Sequence, residues 1–164
     1  MLVCAAHDMV TSMPPVETHD RPCRILIIED DPDDVYLFQK ALRTAETVIG
    51  AEVETEHVDN GLDAVFLVSR EDQLDRLPDA LVLDLNMPRL DGMSFLRSLR
   101  NSLALRDLPV FVLTTTSASS IHAEAMQAGA DKVYVKPNDG DQLAAIAMDV
   151  VHGALSRRSA NPRS

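Results

Sequence analysis

The sequence contains no tryptophan, and aromatic residues make up only 4% of its 164 positions. With 46% apolar residues, its core must therefore be built mainly from aliphatic side chains. Cysteine is nearly absent: Cys4 and Cys23 are the only two. No CxxC spacing occurs, which excludes a disulfide scaffold and a thiolate metal site and fits a reducing cytoplasm. No apolar run approaches the about 20 residues that a membrane-spanning helix requires. The apolar start, residues 1–6, is short, lacks a basic flank and ends at His7-Asp8, so it does not read as a secretory signal. Positive charge is also scarce, with 15 Lys and Arg against 26 Asp and Glu, a net charge of -11 and a pI near 4.7. Such a chain repels phosphate backbones, so direct nucleic-acid binding is not expected. These absences together predict a cytoplasmic protein without membrane contact.

What is present is a repeated alternation. Residues 1–22 hold Pro14, Pro15 and Pro22 with no periodicity and read as a disordered arm. His7 and His19 stand alone there, without a paired ligand. Residues 24–28 form a short aliphatic strand. Asp31 can then cap a helix that has Pro32 at its first position, with Asp33 and Asp34 at the positive end of the dipole. Val35, Phe38 and Leu42 give that helix its apolar stripe. Residues 52–58 alternate as a second strand, with Asn60-Gly61 as a turn, a helix over 62–70 and a polar loop over 71–79. Residues 80–83 are an apolar strand of the kind buried on both faces. Pro88 forbids further pairing, and Asp91-Gly92 marks a turn.

Met93, Leu96, Leu99 and Leu103 predict a third helix. Residues 109–113 predict a fourth strand. Ser119 can cap a fourth helix, with Ile121, Ala125 and Ala128 inward and Gly129 closing it. A fifth strand over 132–135 precedes a helix with the stripe Leu143, Ile146, Val150 and Ala154. Residues 156–164 read as a flexible basic tail, leaving 23–155 as one folded domain. Five strand–helix alternations predict an α/β fold, a doubly wound parallel sheet with helices on both faces. Right-handed crossovers then bring every strand's carboxyl end to one edge.

Four of the five strands end on that edge in charged or hydroxyl residues: Glu29-Asp30, Asp84, Thr114 and Lys136. Singly, each has an ordinary reading as a cap, a strand terminus or a solvated charge. Glu29 and Asp30 come too early to cap the helix, and like charges repel unless a cation joins them. Their oxygens suit Mg²⁺, which is held by one or two carboxylates plus phosphate. The combination suggests phosphoryl transfer onto a carboxylate, with Asp84 attacking in line. Mg²⁺ at Glu29, Asp30, Asp84 and the backbone carbonyl of Asn86 would cover one phosphoryl oxygen. Lys136 would pair with a second, and the Thr114 hydroxyl, or the backbone N–H after it, would take a third. The Asn86 side chain would lie over the phosphoryl group, where it can position a water.

Glu29-Asp30, Asp84-Leu85-Asn86-Met87-Pro88 with Asp91-Gly92, Thr114, and Lys136-Pro137 make the chain resemble a receiver domain of two-component signalling, the chemotaxis-type response-regulator fold. The resemblance covers residues 24–155. It implies the strand order 2-1-3-4-5, phosphorylation of Asp84 by a sensor histidine kinase, and coupling roles for Thr114 and Lys136. One departure concerns the family's switch aromatic, which lies three residues before the lysine. That position is Val133, and the neighbouring Tyr134 must face the other side of the strand. The loops over 71–79 and 101–108 and the Asp31–Asp34 opening resemble the small regulators of bacterial phytochromes, which suggests a phytochrome-type kinase as partner. Only nine residues follow Leu155, so a stand-alone receiver is expected. Ile121, Met126, Tyr134 and the last helix are the candidate face for a homodimer.

Two other functions compete. A phosphohydrolase of the haloacid-dehalogenase type needs an acid two residues after its nucleophile, where this chain has Asn86, and places the nucleophile on its first strand. A partner-binding pseudo-receiver would lack the nucleophile or the metal acids, and all are present.

Overall fold

The computed structural model describes residues 21–160. The expected disordered arm, with Cys4, His7 and His19, lies outside them up to residue 20, as do the last four residues of the expected tail. The elements are β1 (Cys23–Ile28), α1 (Pro32–Ile49), β2 (Val53–Val58), α2 (Gly61–Gln73), β3 (Ala80–Leu83), α3 (Gly92–Asn101), β4 (Val110–Thr114), α4 (Ser119–Ala128), β5 (Lys132–Val135) and α5 (Gly140–Ala160). The strands form one sheet in the order β2-β1-β3-β4-β5, and every pairing is parallel. The expected fold and strand order are both observed.

Side-chain alternation along the central strands explains the two layers. Ile25, Ile27, Val82, Phe111 and Leu113 face α1 and α5, where Phe38, Leu42, Ala147, Val151 and Ala154 meet them. Leu26, Ile28, Leu81, Leu83 and Val112 face the other way, toward Val68 of α2, Phe95 and Leu96 of α3, and Ala125 of α4. The core is aliphatic apart from a few phenylalanines, as the composition requires. Burying each such side chain contributes about 1.5–3 kcal/mol. Tyr134 and Val133 pack into opposite layers, Tyr134 with α5 and Val133 with α4, so the strand alternation holds. No helix among the described residues is long and apolar enough to cross a membrane.

Several boundaries differ from expectation for local reasons. Asn60 is buried and caps α2 rather than making a free turn: its side-chain oxygen accepts from Asp63 N at 2.9 Å, and its amide donates to Asp59 and Asp63. Helix α2 runs to Gln73, into the expected loop, because Glu71 is buried there and paired with Arg24, Arg70 and Arg76. Helix α3 ends at Asn101, so Leu103 is not part of its stripe and is 85% exposed. Ser119 is the first residue of α4 and not its cap; Ala118 holds the cap position without a side-chain bond. The Thr116 carbonyl instead accepts a bond from His122 Nε2 at 2.8 Å.

The largest correction concerns the tail. Helix α5 continues to Ala160 because its last turn is pinned to the opposite rim of the sheet. Asp79, just before β3, accepts a bond from Arg24 N at 2.9 Å and a bidentate pair from Arg21. Arg158 lies 3.6 Å from the same carboxylate and donates to the carbonyls of Arg21 and Pro22. Asp131, just before β5, mirrors this arrangement: Val110 N donates to it, and Arg100 and Arg157 pair with it. Arg21 and Pro22, expected in the arm, are thus tied to the fold.

The exit of β3 is held by α3. Asp91 caps that helix, accepting from Ser94 N at 2.9 Å. This bond, foremost, holds the Asp91 carboxyl below the usual aspartate range, against the contrary effect of burial and with help from the Ser94 hydroxyl. Gly92 packs so close to the strand that a Cβ there would lie 2.2 Å from the Asp84 carbonyl oxygen and 2.8 Å from Leu85 Cα. Two outcomes are expected. Asp91→Ala lowers unfolding stability by about 1 kcal/mol at neutral pH. Because the folded carboxyl is the stronger acid, this stabilisation is present above the ordinary aspartate value, and the gap between variant and wild type closes as pH falls through the folded value. Gly92→Ala lowers unfolding stability by about 1–3 kcal/mol, since backbone cannot yield, whereas Gly140→Ala, in α5 with nothing within 4 Å of its Cβ, leaves stability unchanged or raises it by up to about 1 kcal/mol.

Candidate functional site

The parallel ladder delivers the site residues to one rim. Glu29 N donates to Val58 O at 3.0 Å, Asp84 N to Ile28 O at 3.0 Å, and Lys136 N to Thr114 O at 2.8 Å. Each residue thus sits one step past its strand, backbone still paired and side chain directed to the rim. Among the sequence-predicted residues, Glu29, Asp30, Asp84 and Lys136 come together. Carboxylate oxygens of Glu29, Asp30 and Asp84 lie within 4.8 Å of one another. Lys136 Nζ lies 2.6 Å from Glu29 Oε2 and 3.9 Å from Asp84 Oδ2. Thr114 occupies the same rim, is fully buried, and its hydroxyl accepts from Thr116 N at 3.4 Å. Among the described residues no hydrogen bond joins that hydroxyl to Asp84 or to the Lys136 ammonium. Asn86 is exposed, on the loop beyond Asp84.

The electrostatics of the cluster follow from burial. Asp84 and Glu29 are 5% and 6% exposed, whereas Asp30 faces solvent. Desolvation, the dominant effect, raises the carboxyl of Asp84 above its usual range, against the pull of Lys136 and the nearby N–H groups of Asn86 and Leu85. Desolvation likewise raises Glu29, against its bond to Lys136. Burial alone would lower the Lys136 ammonium, but its bonds to Asp34 and Glu29 and the charge of Asp84 carry it above the ordinary lysine value. The amine is therefore a fixed cation. Asp84 Oδ1 is buried with no hydrogen-bond partner among the described residues, an arrangement that burial makes costly.

These residues fit a hard divalent cation. The donors are all oxygen, three carboxylates converge, and one buried oxygen lacks a partner among the described residues. The site thus combines a buried carboxylate, oxygen donors suited to a cation and a fixed ammonium.

One contact escaped the sequence reading. Asp34, read as a first-turn acid of α1, accepts from Lys136 Nζ at 2.7 Å. Nothing in the local pattern signals it, because Asp34 and Lys136 are 102 residues apart. Two residues of the candidate dimer face are described by their surroundings in the monomer. The Tyr134 hydroxyl donates to Asp149 within the chain, while Met126 remains 48% exposed.

Comparison with known proteins gives a consistent result. Residues 25–148 match the family described as response regulator receiver domain. The response regulator MprA of Mycobacterium avium is 38% identical over 122 residues, 74% of this chain and 48% of that protein. The chain spans about half the length of the curated relatives it matches. Among solved structures, the phosphorylated cyanobacterial phytochrome response regulator RcpA aligns with a TM-score of 0.72 and 25% identity, over 84% of this chain and 96% of that one. A sensor histidine kinase receiver domain from Pseudomonas aeruginosa, with a magnesium ion coordinated in its active-site cleft, aligns at 0.63 and 25% over 80% of this chain and 99% of that one. The rim of acids around Asp84, the parallel sheet beneath it and these matches have one reading: the chain belongs to the response regulator receiver domain family of two-component signalling.

Proposed function

We propose that the protein is a phosphoacceptor that takes a phosphoryl group from the phosphohistidine of a sensor histidine kinase onto Asp84. The observation that carries this reading is the Asp84 carboxylate itself: buried, with Oδ1 unpartnered, beside two further acids and 3.9 Å from a fixed ammonium. An Asp84 oxygen attacks phosphorus in line, forming an O–P bond as the N–P bond breaks. The bonding pair returns to the kinase imidazole, which takes up a proton. Glu29, Asp30, Asp84 and the Asn86 carbonyl would hold Mg²⁺, which supplies charge neutralisation for the phosphoryl oxygens when bound. Lys136 pairs with a developing oxygen charge as a point charge. Thr114, or the N–H that follows it, receives another oxygen, and a shift of the loop after Thr114 carries the signal. With Val133 at the position of the switch aromatic, that loop and not a ring rotation is the moving part.

The protein is on this reading a signalling component and not a turnover enzyme, since Asn86 offers no acid to a leaving group. The similarity to RcpA, a phytochrome response regulator, supports a phytochrome-type kinase as donor, with dimerisation through the α4 and α5 side as one output. Incubation with acetyl phosphate and Mg²⁺ is expected to label the wild-type chain and to leave Asp84→Asn unlabelled, read by intact mass; persistent label in the variant would place the acceptor elsewhere. Chelating divalent cations with EDTA is expected to abolish labelling of the wild type, and excess Mg²⁺ to restore it.

A further inference from the structure

Lys136 is held off the acceptor. Its ammonium contacts Glu29 Oε2 at 2.6 Å and Asp34 Oδ2 at 2.7 Å, while Asp84 Oδ2 stands at 3.9 Å, beyond hydrogen-bond range. Two of the three ammonium donors are thus taken from the α1 side. The gap to Asp84 is too long for a direct bond and leaves space for an oxygen of a phosphoryl group joined to Asp84. Lys136 lines a cavity of about 40 Å³ together with Leu37, Phe38, Leu113 and Leu143, so close packing around the side chain does not by itself fix its head. Its carboxylate partners do.

We propose that Asp34 is a positioning residue that keeps the Lys136 ammonium retracted from Asp84, at the height where a phosphoryl oxygen arrives. The proposal rests on Asp84 being the phosphoacceptor. Without Asp34, the ammonium keeps Glu29 and slides into the nearest remaining anion, Asp84. There it neutralises the nucleophile and fills the place of the incoming group, and it competes with a cation for the same oxygens.

This effect has the opposite sign to simple charge removal, which would speed the approach of an anionic donor. Asp33→Asn supplies the control: it removes the same charge from the same helical turn, and Asp33 makes no bond to Lys136. In the full chain, labelling by acetyl phosphate with saturating Mg²⁺ is expected to be at least about tenfold slower in Asp34→Asn than in Asp33→Asn, within the roughly hundredfold that a misplacement of about 1 Å can cost. Asp34→Glu is expected to recover most of the rate. Calorimetric titration of the unphosphorylated protein with Mg²⁺ is expected to give weaker binding in Asp34→Asn than in Asp33→Asn. Labelling of Asp34→Asn as fast as Asp33→Asn or faster, or no recovery with Asp34→Glu, would overturn the assignment. If the wild type takes no label, the phosphoacceptor reading fails, and the titration alone decides this one: equal Mg²⁺ affinities for the two Asn variants would overturn it.

Discussion

One ammonium balances a crowd of carboxylates at the carboxyl rim of the sheet. Lys136 stands among Glu29, Asp34 and Asp84, with Asp30 alongside. Two of these acids are nearly solvent-free, and buried charges of one sign are costly unless paired. The pairing is incomplete, since Asp84 Oδ1 has no partner. The rim is thus short of positive charge by construction, which is the condition a cation and a transferring phosphoryl group would relieve. A site stabilised for its own sake would have closed that deficit with another basic side chain.

The opposite rim shows how the same chemistry looks when it serves the fold. Asp79 and Asp131 extend the ladder by accepting a backbone N–H, and arginines surround both. Their charges are satisfied by side chains from the last turn of α5 and from the segment before β1. That rim is a clamp, and it anchors the helix that shares one face of the sheet with α1. Rigidity at one end lets the strands present unsatisfied groups at the other without loss of register.

Between the rims, the two-layer core makes the presentation possible. Ile25 and Ile27 bury one way and Leu26 and Ile28 the other, so β1 is committed on both faces and cannot slip. The same holds for β3. Glu29 and Asp84 are therefore delivered at fixed heights, one residue past strands that are themselves immobilised by packing. Gly92 completes the arrangement by letting α3 approach the Asp84 carbonyl more closely than any side chain would permit.

Much of this was legible in the residues. Short apolar runs, one alternating segment, period-3.6 stripes and turn residues marked all ten elements, because burial on one or both faces leaves a local trace. Glu29, Asp30, Asp84, Thr114 and Lys136 were legible as a set because parallel strands must end on one edge. The caps at Asp31 and Asp91 were visible or nearly so, as they involve neighbours three or fewer residues away. What the chain alone did not decide were the long-range pairings: Lys136 with Asp34, Arg158 with Asp79, Arg157 with Asp131. Read locally, those were a dipole acid, a solvated loop and a basic tail. Linear sequence records what each segment needs to bury; only the folded chain determines which charges, far apart in sequence, end up close enough to pair.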